Sequence, residues 1–462
     1  MEAILQEIAV ETRDYADFKE LLFDENHKFL SSRKPLSGNV DYLAFLRILD
    51  NPWFSRLWIV QEVSLAPTSM CHCGDFEVSF TNILRSAMWL SHKWSQMPKI
   101  STSTAEHLSH AVSIIDAADK TYGRFHIGGL SSVMLNLLSK FGYMRTFDRR
   151  DCVFAILGLW QTFTETTMLP SVLEPDYNLS VDEVFKIYIR YAIEESAGLY
   201  PLEWISEPSR EVRDASWPSW LPAIDRDPFD LKNEPDGMLR SVFCVDNSEP
   251  MILKKESSRP NDLIVSGVLL DSITEVSATF TPSTTSSEML TLMADLECPC
   301  CESWAGTTVA DLETQVSLVL LGGISRRARV SHQEALQGYQ SFKAYLKEHG
   351  SFPGMRWVPS SASNEDKVAS KHGAGMANAL TFRVAFHTTT GFIGIGPRCT
   401  EPGDVVAILY GSRLPIVLRP VPELSKGSYR LLGVSYVYGI MDGEAVRRHK
   451  EMGLEDDVFR IV

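Results

Sequence analysis

The chain has 462 residues, of which 44% are hydrophobic and 22% charged. That balance excludes a largely disordered polymer and leaves apolar material for more than one packed core. With 44 basic and 59 acidic residues, the formal net charge is −15, which excludes a global basic field for nucleic acid or an anionic membrane surface.

No stretch approaches the 18 uninterrupted apolar residues of a membrane span. The best apolar run, 316–321, suits a buried strand. The N-terminus, MEAILQEIAVETRDY, is acidic from position 2 and lacks the basic start and apolar centre of a secretory signal. Eight cysteines are sparse and irregularly spaced, as expected of a reduced, cytoplasmic protein.

The first 50 residues predict helix, with Asn39 as an N-cap. Asn51-Pro52 ends that pattern and starts another: Asn51 caps, and Pro52 takes the first helical position. The second helix, PWFSRLWIVQEVSLA, is apolar nearly all round, so Trp53, Trp58 and Ile59 are expected to be buried. Arg56, Gln61 and Glu62 are its polar exceptions, and Trp58 and Glu62, four apart, share a face. A hairpin follows, turning at Gly74-Asp75. A helix is predicted over 81–94, and weakly punctuated helix over 95–145. Asp148 is an expected N-cap, with Asp151 at the capping-box position, for a short buried helix over 152–159.

Ser180 and Glu183 form the spacing of a capping box, flanked by Leu179 and Val184 as a hydrophobic staple, and Gly198 closes the helix they open. Trp217-Pro218-Ser219-Trp220-Leu221-Pro222 must be extended, because each proline pushes its predecessor out of the helical region. Its rings are expected to clamp the segment onto the body. From 263 the period shifts towards two. Strands are predicted over 263–270, 383–387, 391–395, 405–410, 415–418 and 429–438, with a Ser/Thr-rich loop over 277–288, a helix over 331–349 and a mobile stretch over 359–375. The last ninety residues therefore read as a small antiparallel module. Asp442-Gly443-Glu444 reads as a solvent-facing turn, since two carboxylates without further oxygen ligands make a poor cation site.

Motifs for cofactors are not found. Cys71-His72-Cys73 and Cys298-Pro299-Cys300-Cys301 lack the paired spacing of a zinc site, so no metal and no cofactor are expected. The glycines at 391, 394 and 396 lie in a β-branched run with Pro397 where a phosphate-binding helix should open, which makes the segment a hairpin.

Five segments, in order, resemble fungal heterokaryon-incompatibility (HET) domain proteins. NPWFSRLWIVQEVSLA at 51–66 resembles the block W-[FW]-x-R-x-W-x-x-Q-E, through Trp53, Arg56, Trp58, Gln61 and Glu62. RRDCVFAILGL at 149–159 resembles a second block, through Asp151 and Gly158. PDYNLSVDEVF at 175–185 resembles a third, through Asp176 and Tyr177. PSWLP at 218–222 carries Trp220, with Ala223 and Ile224 where that family usually has Asp-Trp. The C-terminal signature is matched by GDVVAILYGSRLPIVLRP and YRLLGVSYVYGIMDGE, the latter carrying Gly439, Asp442, Gly443 and Glu444.

The family's usual opening blocks, "YxALSYxWG" and "WIDaxCINQxdxxEr", do not occur, so the N-terminal part of the HET domain is expected to be missing, through a shortened gene model or degeneration. The resemblance implies an α+β protein: an incomplete HET region over 1–160, similar to the α/β Toll/interleukin-receptor (TIR) fold, a helical and extended linker over 161–260, and an α+β region over 261–462 ending in antiparallel sheet. It implies a cytoplasmic protein of non-self recognition and programmed cell death, with an unknown protein partner that could be a non-self determinant, and with neither nucleic acid nor membrane. TIR domains that cleave NAD use a glutamate four residues after a tryptophan, which maps onto Glu62. An NAD glycohydrolase and a non-enzymatic remnant acting as a binding module are the alternatives. The expectation is little NAD cleavage, and little cell death when the chain is expressed alone.

Overall fold

In the computed structural model, residues 2–11, 42–66, 68–93, 132–142, 144–205, 217–222, 224, 242–253, 261–297, 309–325, 328–350, 363–425 and 427–462 are described. The Asn39 cap, most of 95–145 and Cys298–Cys301 lie outside them. The chain divides into two compact units, residues 1–188 with 224–227, and residues 189–223 with 228–462.

The first unit is mostly helical: α1 (Glu2–Glu11), α2 (Tyr42–Leu49), α3 (Trp58–Ser64), α4 (Phe80–His92), α5 (Val133–Phe141), α6 (Asp151–Phe154), α7 (Leu157–Thr164) and the start of α8 (Val181–Ser196), within which the division falls. Among the described residues its strands are the antiparallel hairpin β1 (Met70–Cys73) and β2 (Phe76–Ser79). The expected continuous helix from Pro52 is broken. Pro52–Ser55 forms a 3-10 turn, in which the Asn51 side chain accepts from the Trp53 amide. Arg56 then turns extended and bridges in parallel to Arg145 before α3 begins. That break rotates the tryptophans: Ile59 is buried, but Trp53 and Trp58 are only half-buried and Arg56 and Glu62 are exposed. The expectation of full burial for both tryptophans is corrected accordingly. Asp148 also does not cap α6 directly; Arg150 holds the N-cap position, and the Asp148 carboxylate accepts from its amide.

The second unit is built around a mixed sheet. Its strands are β3 (Leu263–Val276), the short pair β4 (Ile324–Ser325) and β5 (Ala328–Arg329), then β6 (Arg383–Thr388), β7 (Ile393–Pro397), β8 (Val405–Leu409), β9 (Ile416–Pro420), β10 (Ser428–Val434), β11 (Tyr436–Val437) and β12 (Asp457–Ile461). Pairings β3–β8, β8–β9, β9–β10, β10–β12 and β12–β3 return to their start, so these five strands close a barrel. The far end of β3 leaves it and pairs with β6, which continues the sheet to β7 and β11. The expected antiparallel ending needs one correction, since β10 and β12 run parallel. Val265, Ile408, Val417, Leu431 and Phe459 of these strands are all buried. Closure depends on Gly267, where β3 changes partner from β12 to β8. A Cβ there would stand 2.1 Å from the Ile408 carbonyl oxygen, so only glycine lets the two backbones approach.

Helices α9 (Ser286–Leu296), α10 (Val309–Leu320), α11 (His332–His349) and α12 (Asn364–Leu380) fill the middle of this unit, and α13 (Glu444–Glu451) precedes β12. Two expectations fail here. The apolar run 316–321 is the end of α10 and not a strand, and the stretch expected to be mobile forms α12 from Asn364 onward. Thr285 and Glu288 make a full capping box for α9, inside what the sequence suggested was a loop.

Candidate functional site

In the first unit, three separated sequence blocks meet at one carboxylate. Asp151 opens α6 and is almost fully buried. Its Oδ2 accepts the Trp58 indole N–H at 3.1 Å, and its Oδ1 accepts the Tyr177 hydroxyl at 2.6 Å. A buried carboxylate needs its lone pairs satisfied, and two charge-assisted bonds do that here. Partial burial, followed by the bond to Asp151, pushes the Tyr177 phenol up to about 12, so it stays protonated and remains a donor. The Tyr177 ring also meets Phe154 edge-on at 5.0 Å.

One turn further along α3, Gln61 faces α7. Its Oε1 accepts the Gly158 amide at 3.3 Å. A Cβ on Gly158 would fall 2.9 Å from that side chain, so glycine is what admits the glutamine. Arg150, which no motif position marks, ties the third block in place. Its guanidinium forks onto Asp148, with Nε–Oδ1 at 2.9 Å and Nη2–Oδ2 at 2.6 Å, and its Nη1 donates to the carbonyls of Tyr177 and Leu179. The guanidinium holds the Asp148 carboxyl below its ordinary value. The signal was present as Asp and Arg two residues apart beside the second block.

The remaining residues of the first unit stand outside this cluster. Trp53 packs against Phe54 and Phe80, with ring centroids 5.0 and 5.6 Å away. Arg56 contributes its backbone to the bridge with Arg145. Asp176 accepts from the amide and side chain of Asn178, both at 2.8 Å, and so shapes its own turn. Glu62 is exposed on α3 and makes no hydrogen bond or ion pair among the described residues. A carboxylate in water is poorly placed for the water-excluded electrostatic stabilisation that glycosidic-bond cleavage needs.

In the second unit the other motif residues form two anchors. Trp220 is fully buried; its Nε1 donates to the Asn261 carbonyl at 2.6 Å and Arg190 lies over its ring at 4.6 Å. The neighbouring Ser219 accepts the Leu431 amide of β10 at 3.0 Å and donates its own amide to Val462 O at 2.9 Å. The strap 217–222 thereby clamps onto the barrel. The turn Asp442-Gly443-Glu444 is more than a solvent-facing loop. Asp442 takes a forked ion pair from Arg329 at 2.5 and 2.6 Å, and its amide donates to Glu444 at 2.8 Å. Gly443 and Gly439 have φ of +79° and +85°, which glycine alone adopts without strain.

The Arg329 bond holds the Asp442 carboxyl below its ordinary 3.8. A lowered folded value means the pair contributes stability above the ordinary carboxylate range, and that this is lost as pH falls through the folded value. The pair is half-exposed, so its contribution is below about 1 kcal/mol. Urea unfolding midpoints of wild type and Asp442→Asn should therefore differ modestly at pH 6 and converge as the pH falls through the lowered Asp442 value. Equal midpoints at pH 6 would show that the pair adds nothing.

Among the described residues, no group of three or more His, Cys, Asp or Glu side chains is placed to hold a metal ion, and no helix is long and apolar enough to cross a membrane. Among the described residues, Cys71, Cys152, Cys244 and Cys399 are not in disulfides.

Residues 317–454 match the Het-6 beta-barrel domain family. The matched segment contains β6 to β11, whereas β3 and β12, which close the barrel, lie outside it. The chain is also similar to heterokaryon incompatibility protein 6, OR allele, of Neurospora crassa, at 46% identity over 57 residues. That alignment takes in 12% of this chain and 8% of the relative, so the chain spans less than a tenth of the curated relative it matches. No solved structure matches. Both similarities support a HET-type protein in the broad sense.

Proposed function

We propose that this chain acts in the cytoplasm as a heterokaryon-incompatibility protein, in non-self recognition that leads to programmed cell death after contact with a protein partner. The observation that carries this reading is the Het-6 barrel match over 317–454, which overlaps the closed barrel of the second unit. The first unit is read as part of the HET domain because its blocks, far apart in sequence, converge on Asp151 through Trp58 and Tyr177. A protein partner is supported by Phe147, Met168, Val172 and Tyr177, large side chains of one stretch of the first unit that stand exposed. A carboxylate that holds both the Trp58 indole and the Tyr177 hydroxyl suits an architectural role better than a reacting centre.

The test is inducible expression in a filamentous fungus, alone and in heterokaryons with a panel of distinct isolates, with dead hyphal compartments counted by a vital dye. Expression alone should leave growth unchanged, and death should appear with particular isolates. Death with none of them, at verified protein levels, contradicts the proposal. Purified wild type and Glu62→Ala should be equally inert towards NAD. Clear turnover abolished by that substitution would put the enzyme reading first.

A further inference from the structure

Helices α11 and α12 pack on each other in the second unit. Of the side chains that α12 buries, His372 alone is titratable. It is 5% exposed, and its Nε2 has no hydrogen-bond partner among the described residues. Buried polar groups are nearly always paired, so the packing holds this nitrogen in place at a cost.

The seat of the ring is made by α11. Gly338 lets it in, since a Cβ there would fall 2.6 Å from the His372 Nδ1. Tyr339 and Phe342 flank it, with ring centroids 6.1 and 5.9 Å away. The charged groups of the surrounding elements have other partners. Glu334 of α11 pairs with Lys371 of α12 at 2.5 Å. Lys343 of α11 meets Glu297, which follows α9, at 2.6 Å and Glu313 of α10 at 3.4 Å. Tyr339 donates its hydroxyl to the same Glu297 at 2.6 Å, and Arg383 of β6 donates to the Val434 carbonyl at 2.9 Å. No carboxylate among the described residues pairs with His372. Burial, with no charge to offset it, pulls the imidazole from its ordinary 6.5 down to about 4.

We propose that His372 is a proton-sensitive latch: the neutral ring keeps α11 and α12 together, and its protonation in mild acid parts them while the barrel stays closed. A ring freed into water binds a proton with ordinary affinity, and the seated ring does not. The latch therefore contributes its full stability above about 6.5 and loses it as pH falls from there towards 4. The architecture keeps the opening local. The chain leaves α12 through Phe382, whose φ of +57° is a left-handed conformation that strains a bulky residue, and enters β6. Strand β6 pairs with the far end of β3 and is not among the five strands that close the barrel. This proposal stands apart from the incompatibility reading, which rests on other residues.

The experiment is amide hydrogen exchange of the full chain at pH 7 and pH 5, read as protection factors, for wild type, His372→Gln and His372→Phe. Neither replacement titrates in this range, so every other group acts alike on the three proteins and cancels in the comparison. Between pH 7 and pH 5, protection of α11 and α12 should fall about 20-fold more in wild type than in a folded variant, as values of about 6.5 and about 4 require. Strands β8, β9 and β10 should keep theirs. A fall in wild type within about twofold of that in the variants overturns the proposal, as does an equal loss in helices and barrel strands. Wild type alone supplies a second measurement: in the folded chain the His372 ring resonance should not titrate above pH 5, and a midpoint near 6.5 overturns the proposal whether or not the variants fold.

Discussion

Trp220→Ala should destabilise the second unit by about 3–5 kcal/mol, the usual loss on emptying a fully buried tryptophan site. The substitution removes three things together: the ring from the core, the bond from its Nε1 to Asn261, and the surface on which Arg190 lies. It also loosens the strap whose Ser219 bonds reach β10 and the C-terminal residue. Equilibrium urea unfolding followed by circular dichroism measures the change. A loss below about 1 kcal/mol would show that the strap lies on the barrel without supporting it.

Arg413→Ala should cost about as much, 3–5 kcal/mol, for an electrostatic reason. Glu203 has a side chain with no exposed area, and Arg413 approaches it at 3.0 and 3.3 Å while lying over Tyr200 at 4.5 Å. Removing the guanidinium leaves a carboxylate in a low-dielectric site without its charged partner. The pair as a whole need not be stabilising, because both ions were desolvated to form it. The double substitution Glu203→Leu with Arg413→Met should therefore recover most of the loss. A double variant as unstable as Arg413→Ala alone would mean that the loss comes from packing and not from the stranded charge.

Several strands of the sheet could be read from sequence because they alternate and are punctuated by turns: the expected 383–387, 405–410 and 415–418 fall on β6, β8 and β9. The helices of the second unit were harder. Val316, Leu318, Val319, Leu320 and Leu321 are all buried, and an apolar run of this length does not distinguish a buried strand from one end of a buried helix. Helix α12 hides its face in small residues. Ala369, Gly373 and Ala377 are buried along it, and Ser363 caps it by accepting the Asp366 amide, yet its composition suggests mobility. The parallel partner of β10 and the change of partner at Gly267 depend on strands far apart in the chain, which local pattern cannot register.

The site shows the same division. Resemblance picked out Trp58, Gln61, Asp151, Gly158 and Tyr177, but not their contacts: Trp58 and Asp151 are 93 residues apart, and no spacing rule reaches that far. The helical period placed Trp58 and Glu62 on one face, as they are. It could not foresee the extended Arg56 that interrupts the helix, nor that Glu62 stands in solvent. Arg150 was legible only as one basic residue among several, because the carbonyls it holds belong to the third block.

Asp151 joins the HET-like blocks into one structural unit by serving two donors at once. A double-mutant cycle of Trp58→Phe and Tyr177→Phe, measured by urea unfolding, tests it most directly. Each substitution deletes one donor and keeps an aromatic ring, and each should cost about 1–2 kcal/mol, discounted for Tyr177, which is half-exposed. Because the donors share an acceptor, the account predicts that the two losses do not add, with an interaction term of at least about 0.5 kcal/mol. Losses that sum to within about 0.3 kcal/mol would contradict it, since the two bonds would then be independent and Asp151 would not be the joint.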